Sequence, residues 1–169
     1  DGNSLIDMGS GIAVTTVGNS APRVVENVQR QVAEFTHTCF MVTPYESYVA
    51  VCEALNELTP GDHVKRSALF NSGAEAVETA VKLARKWGQT VKGVPAAKGE
   101  ILVFDNNFHG RTTTIISFSD DDEARAGFGP YTPGFDRVPY GDIEALAAAI
   151  TAEMICVTIE PPHLSEIQP

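Results

Sequence analysis

Apolar positions in this chain recur at spacings of three and four in some stretches and run together in short blocks in others. Val25, Val28 and Val32 follow Pro22 at helical spacing and predict an amphipathic helix from Pro22 to about Phe35, with proline at a first-turn position where its missing N–H costs nothing. Tyr48, Cys52, Leu55 and Leu58 put one apolar face on residues 45–58, and Pro60-Gly61 ends that second helix. Val77, Ala80, Val81, Ala84 and Trp87 predict a third helix from Ser72 to Trp87 with Gly88 as its stop, and Ile143, Leu146 and Ile150 mark a fourth. The blocks Ser67 to Asn71, Ile101 to Asp105 and Ile155 to Ile159 are too short for helices and read as buried strands. After the turn chemistry of Asp1-Gly2-Asn3, the positions Leu5, Ile6, Met8, Ile12 and Val14 suit short strands broken by Gly9 and Gly11. Strands alternating with helices predict an α/β fold with a mostly parallel sheet and flanking helices. Ser119 to Gly141, rich in acid, glycine and proline, reads as a structureless loop of the length that is usually functional or an interface.

Composition narrows what such a fold can serve. The chain has 169 residues, 43% of them hydrophobic, enough for about one ordinary domain and incompatible with a disordered tail. The net charge of -10 repels a phosphate backbone, and the few basic residues do not cluster, so nucleic acid is not expected as a partner. No apolar run approaches the ~20 residues that span a bilayer, so no membrane partner is expected. Cys39, Cys52 and Cys156 are odd in number and scattered, which excludes a disulfide framework and points to a reducing, cytoplasmic location. The N-terminus shows no basic segment followed by an apolar one, so no signal peptide is read there.

The most informative segment is Phe70-Asn71-Ser72-Gly73-Ala74-Glu75, where a strand is expected to turn directly into a helix and Ser72 with Glu75 forms a capping-box pattern. The amides of Gly73 and Ala74 are then donors without intrahelical partners at the positive end of the helix, and Gly73 carries no side chain to hold an anion off. The dipole contributes only about 0.3–1 kcal/mol, and a capped helix with nothing bound is the better explanation of so short a motif when it is taken alone. Phe108 lies just beyond the Ile101 to Asp105 strand, with His109, Gly110 and Arg111 after it. Arg111 is expected to open the next helix, an unfavourable place for a cation unless an anion is held nearby. His109 has no second histidine at metal-ligand spacing, so a zinc site is not expected.

These residues carry a resemblance. NSGAEAVETAVKLARKWG, followed by FDNNFHGRT, resembles the class III aminotransferases of the ornithine/4-aminobutyrate group, and the likeness extends over nearly the whole chain. The stretch from FTHTCFMVTPYESYV through FNSGAEAVE resembles the 4-aminobutyrate members, whereas ARKWGQTVKG and FGPYTPGFDRVPYGDIEAL are more similar to the ornithine members. The resemblance implies a partial large domain of a fold-type I transferase that uses pyridoxal 5'-phosphate. Residues 1–40 would form an N-terminal strand and helix segment, and residues 41–169 part of the cofactor-binding large domain. It further implies transfer of an amino group from an ω-amino acid to a 2-oxo acid, with small-molecule substrates and a homodimer as the complete protein.

Residue by residue, the resemblance gives Ser72, Gly73 and Ala74 to the cofactor phosphate, Phe108 to the face of the pyridine ring, His109 and Glu160 to the cofactor surroundings, and Arg111 to substrate binding. Ile12 matches the apolar residue that lines the substrate channel in 4-aminobutyrate members, where ornithine members carry tyrosine. The chain also departs from the family. Gly-His-x-His-Pro is altered to Gly18-Asn19-Ser20-Ala21-Pro22, and Met41 stands where glutamine is usual. Where the family continues Ile-Gln-Gly-Glu after its Glu-Pro, this chain reads Pro162-His163-Leu164-Ser165-Glu166, which leaves open whether Glu166 takes the place of the second glutamate. Transamination needs a lysine amine, and Lys65, Lys82, Lys86, Lys92 and Lys98 all precede Phe108, whereas the family's lysine follows its glutamate. The aspartate that protonates the pyridine nitrogen is downstream in the family as well. The isolated chain is therefore expected to be inactive. A second reading, a non-catalytic phosphate-ligand or partner-binding fragment derived from the same fold, stays beside the first.

Overall fold

The computed structural model describes residues 2–160 and divides the chain into two compact units between Ser67 and Ala68. The first unit is helical. A single irregular turn, α1 (Ser10–Ala13), precedes α2 (Pro22–Glu34) and α3 (Glu46–Leu58), close to the two helices that periodicity predicts. Pro22 starts α2 as expected, and Thr59 closes α3 by donating its hydroxyl to the Leu55 carbonyl at 2.6 Å. Neither helix contains a buried residue. Aromatic contacts serve instead: Phe40 stacks on Tyr48 with centroids 4.1 Å apart, and Tyr45 meets Phe35 and Phe40 edge-on at 5.4 Å.

The strands expected between Leu5 and Val14 are not formed. Asp7 accepts hydrogen bonds from the amides of Gly9 (2.9 Å) and Ser10 (2.8 Å), a local turn that competes with a ladder. Gly11 and Ile12 then adopt left-handed backbone angles, with φ of 63° and 60°. Among the described residues no neighbouring strand offers this segment a ladder.

The second unit is a three-stranded parallel sheet in the order β2-β1-β3, covered by helices on both faces. Its strands are β1 (Glu100–Phe104), β2 (Phe135–Val138) and β3 (Met154–Thr158), and its helices are α4 (Gly73–Trp87), α5 (Asp122–Arg125) and α6 (Ile143–Ala149). The central strand β1 reads as a continuous apolar run because both its faces are covered: Ile101 is 1% exposed, and Leu102 and Val103 are fully buried. Alternation sorts its side chains. Ile101 and Val103 face α4 through Val81 with Val77 and Ala84, together with Ile115, Phe118 and Ile155. Leu102 and Phe104 face Val138, Met154 and the α6 residues Ala145, Leu146 and Ala149. Burying one such aliphatic side chain stabilises the fold by roughly 1.5–3 kcal/mol.

Three expectations are corrected here. Ser67 to Asn71 is not a strand, since both sides of β1 are taken by β2 and β3 and no edge pairs with it. Gly88 does not stop α4. The chain continues through a π turn, Gly88–Lys92, and ends on Gly93 in the left-handed conformation (φ 78°). Glycine is required at 88 because a Cβ there would collide with the side chain of Ile155 on β3. The stretch Ser119 to Gly141 is not structureless, for it holds both α5 and β2. Asp121 caps α5 by accepting from the Glu123 amide (3.0 Å), and Arg85 of α4 donates to the Pro133 carbonyl (2.8 Å) just ahead of β2. Among the described residues no helix is long and apolar enough to cross a membrane.

Candidate functional site

In a parallel sheet the carboxyl ends of the strands share one edge, and a helix leading into a strand starts near that edge. The start of α4, the loop after β1 and the residue after β3 thereby come together. Ser72 is the N-cap of α4, its Oγ accepting from the Glu75 amide at 3.2 Å. Glu75 reaches back and accepts from the Asn71 amide at 2.8 Å, so the expected box forms with its return bond one residue earlier than the cap. Gly73 and Ala74 follow as first-turn residues whose amides have no carbonyl within the helix to reach. A Cβ placed on Gly73 meets nothing within 4 Å. The first turn of α4 therefore opens onto free space, and its exposed groups are donors.

The loop from Asp105 to Thr114 crosses this helix start and is pinned to it twice. A Cβ on Gly110 would lie 2.9 Å from the Ala74 Cβ and 3.4 Å from its Cα, so loop and helix touch without a side chain between them. Thr112 donates its hydroxyl to Glu78, one turn further along the same face of α4 as Ala74. Gly110 holds a φ of 122° in that contact, a conformation that favours glycine.

Phe108 is held out of the core, 61% exposed, while its amide donates to Glu160 Oε2 at 2.8 Å. That bond joins the loop after β1 to the end of β3. The guanidinium carbon of Arg111 lies 6.0 Å from the Phe108 ring centroid. Arg111 also borders a cavity of about 370 Å³ shared with Thr113, Ile116, Glu123, Ala124 and Phe128. Its expected place at a helix start is corrected: it occupies a bend ahead of a short 3-10 turn, Ile115–Ser117, so the dipole argument does not apply to it. His109 packs its ring 5.9 Å from that of Phe118. Burial lowers its pKa below the usual 6.5, and the Glu160 carboxylate pulls the other way without prevailing.

Ser72, Gly73, Ala74, Phe108, His109, Arg111 and Glu160 thus belong to one neighbourhood. Ile12 belongs to the first unit, 92% exposed. Glu166 lies outside the described residues. Sequence reasoning missed Gly110 and Thr112, which join loop to helix, and Asn107, which braces the loop from inside. Gly110 could have been found, since a glycine between two large polar side chains beside a proposed anion site signals close backbone approach.

The open first turn of α4 and the exposed Phe108, on a loop that touches α4 through Gly110, lie at the carboxyl edge of a parallel sheet, where α/β proteins bind ligands. Residues 1–161 match the family Aminotransferase class-III, and the chain belongs to that family. It is 59% identical over 140 residues to the 4-aminobutyrate aminotransferase of Mycobacterium tuberculosis strain H37Rv, covering 82% of this chain and 29% of that protein. It is 40% identical over 166 residues to the ornithine aminotransferase of Halalkalibacterium halodurans, covering 95% and 39%. Among solved structures, the ornithine aminotransferase from Toxoplasma gondii ME49 superposes with a TM-score of 0.85 at 33% identity, over 92% of this chain and 36% of that one. The chain therefore spans well under half the length of the relatives it matches.

Proposed function

We propose that this chain supplies the cofactor-binding part of an aminotransferase that moves an amino group from an ω-amino acid, of 4-aminobutyrate or ornithine type, to a 2-oxo acid through pyridoxal 5'-phosphate. The observation that carries the reading is the open start of α4 with Phe108 held exposed beside it. Pyridoxal phosphate, when bound, supplies the electron sink that lets a proton leave the carbon bearing the substrate amine. The chain's own residues bind and orient. Ser72, Gly73 and Ala74 hold the phosphate through first-turn amides and the Ser72 hydroxyl. Phe108 offers its face to the ring, and Glu160 and His109 line the same region, with burial favouring the neutral form of His109.

Arg111 takes the substrate carboxylate, since a planar guanidinium bordering open space pairs with a carboxylate bidentately. Ile12, by its match to the 4-aminobutyrate members, favours that substrate over ornithine, in keeping with the relative at 59% identity. Residues 41–169 are proposed to form the cofactor-binding domain and residues 1–40 a separate N-terminal segment. The complete protein is proposed to work as a cytoplasmic homodimer, a setting that suits three free cysteines.

The reading is tested on the chain of 169 residues by calorimetric titration with pyridoxamine phosphate and with inorganic phosphate, followed by an assay of 4-aminobutyrate or ornithine with 2-oxoglutarate. Binding of both ligands, with mutual competition, is expected. Turnover is expected only once a lysine-bearing C-terminal part of a class III aminotransferase is joined to the chain, because all five lysines precede Phe108 and Lys92 is committed to the Met154 carbonyl. Absence of competition would refute the shared phosphate site. Turnover by the chain alone, above that of free cofactor, would refute the division of labour.

A further inference from the structure

Phe108 is a large apolar side chain next to a well-packed core, yet it remains 61% exposed. The residue before it ties down the loop that carries it. Asn107 donates through Nδ2 to the carbonyl of Phe104 at 2.8 Å and to that of Phe118 at 3.3 Å. Those acceptors belong to two core residues, the last of β1 and the one that follows the 3-10 turn, exposed 8% and 2%. One amide thus ties the loop to two fixed points of the core. Both neighbours are fixed too: the Asn106 amide donates to Asp120 Oδ2 at 2.6 Å with Asn106 at a φ of 60°, and the Phe108 amide donates to Glu160 Oε2 at 2.8 Å.

Asn107 has a cost that simple packing would avoid. Its Oδ1 is buried and accepts no hydrogen bond among the described residues. An unsatisfied buried acceptor is destabilising, and an apolar residue of similar size would not incur that penalty. The amide is therefore worth having for its two donors and for the loop conformation they enforce. An aromatic face held in its binding position before the ligand arrives loses less freedom on binding.

We propose that Asn107 is a positioning residue for ring recognition: its two-carbonyl clamp holds Phe108 outward as a preformed platform for the flat part of a phosphorylated aromatic ligand. The inference rests on the phosphate reading given above and deepens it. Asn107 acts through Phe108, whereas the phosphate is held by α4, so the two parts of one ligand respond differently to its loss.

The test titrates the chain and its Asn107→Ala variant with inorganic phosphate and with pyridoxamine phosphate, which carries the ring but no aldehyde to react with surface lysines. Phosphate affinity is expected to stay within about twofold, while pyridoxamine phosphate weakens roughly three- to tenfold, the worth of one ring-stacking contact. Phe108→Ala is expected to show the same selective loss, and the double variant no further loss, because the two residues act in series. Circular dichroism checks that each variant folds. If Asn107→Ala does not, Asn107→Ser, which keeps one donor, carries the same comparison. Equal weakening of both ligands, no weakening of either, or additive losses in the double variant would overturn the proposal. A parent chain that binds phosphate but gains nothing from the ring would also overturn it while the phosphate site stands. A parent chain that binds neither would remove the reading beneath it.

Discussion

Gly110→Ala adds a single methyl group at the point where loop and helix meet. At a φ of 122° an L side chain is strained, which costs about 1–3 kcal/mol. The new Cβ would stand 2.9 Å from the Ala74 Cβ and 3.1 Å from the Ile115 Cδ1. Ala74 cannot rotate away, because its Cβ is fixed by the α4 backbone, and Ile115 is 1% exposed within the core. Overpacking of that kind costs a further ~1–3 kcal/mol. The expected loss is therefore about 2–6 kcal/mol, a large share of the ~5–15 kcal/mol that holds a domain together. Urea unfolding followed by far-UV circular dichroism should show the midpoint falling by on the order of 1–2 M. Gly73→Ala is the internal control: its Cβ meets nothing within 4 Å and its φ is not in the left-handed region, so stability should change by less than about 1 kcal/mol, in the stabilising direction if at all. If Gly110→Ala loses less than about 1 kcal/mol, or no more than Gly73→Ala, the contact between loop and helix does not exist as described.

Three further outcomes are expected. Gly73→Leu should leave the urea midpoint nearly unchanged, since the side chain points into open space, but should abolish phosphate competition against pyridoxamine phosphate in calorimetry. Arg111→Lys keeps the charge but loses the planar fork, and in the reconstituted enzyme should raise KM for the amino acid roughly tenfold, with kcat changed much less; an unchanged KM would discard the carboxylate role. His109 has a folded pKa below 6.5, so above that value both folded and unfolded forms are neutral there and the residue adds no pH dependence. Below it the unfolded chain takes up the proton first, and stability falls as pH falls; His109→Gln should flatten this limb below 6.5, and an identical fall of the urea midpoint with pH in both chains would refute the burial argument.

What was legible in the sequence followed from burial. β1 stood out because strands covered on both faces lose alternation and read as an unbroken apolar run. β2 did not, because Phe135-Asp136-Arg137-Val138 puts two charged residues in four, and Arg137 meets Asp105 of the neighbouring loop at 3.8 Å rather than the core. A strand held by a ladder, one buried valine and one half-buried phenylalanine at its two ends leaves only a weak hydrophobic signature. The reverse error occurred at Ser67 to Asn71, where apolar residues suggested a strand that has no partner to pair with. Gly88 misled for a third reason: its lack of a side chain serves the close approach of Ile155, and a glycine used for packing looks the same in sequence as one used to end a helix.

The site divides along the same line. The groups proposed to touch a ligand were reached in two ways: Ser72 to Ala74 from the cap and the orphan amides, Phe108, His109 and Arg111 from the resemblance carried by the FHGRT stretch after a strand. The groups that assemble them depend on contacts between segments distant in sequence, which no spacing rule reports. Gly110 meets Ala74 across 36 residues, and Phe108 meets Glu160 across 52. A helix start alone binds anions weakly, by about 0.3–1 kcal/mol from its dipole, and an exposed phenylalanine alone binds nothing in particular. Recognition of a phosphorylated ring needs both at a fixed separation. That separation is set by a glycine that lets the loop lie on the helix and by side-chain clamps that hold the loop after β1. On the proposed reading, specificity would reside as much in Gly110, Asn107 and Glu160, which hold the loop in place, as in the residues that would make contact.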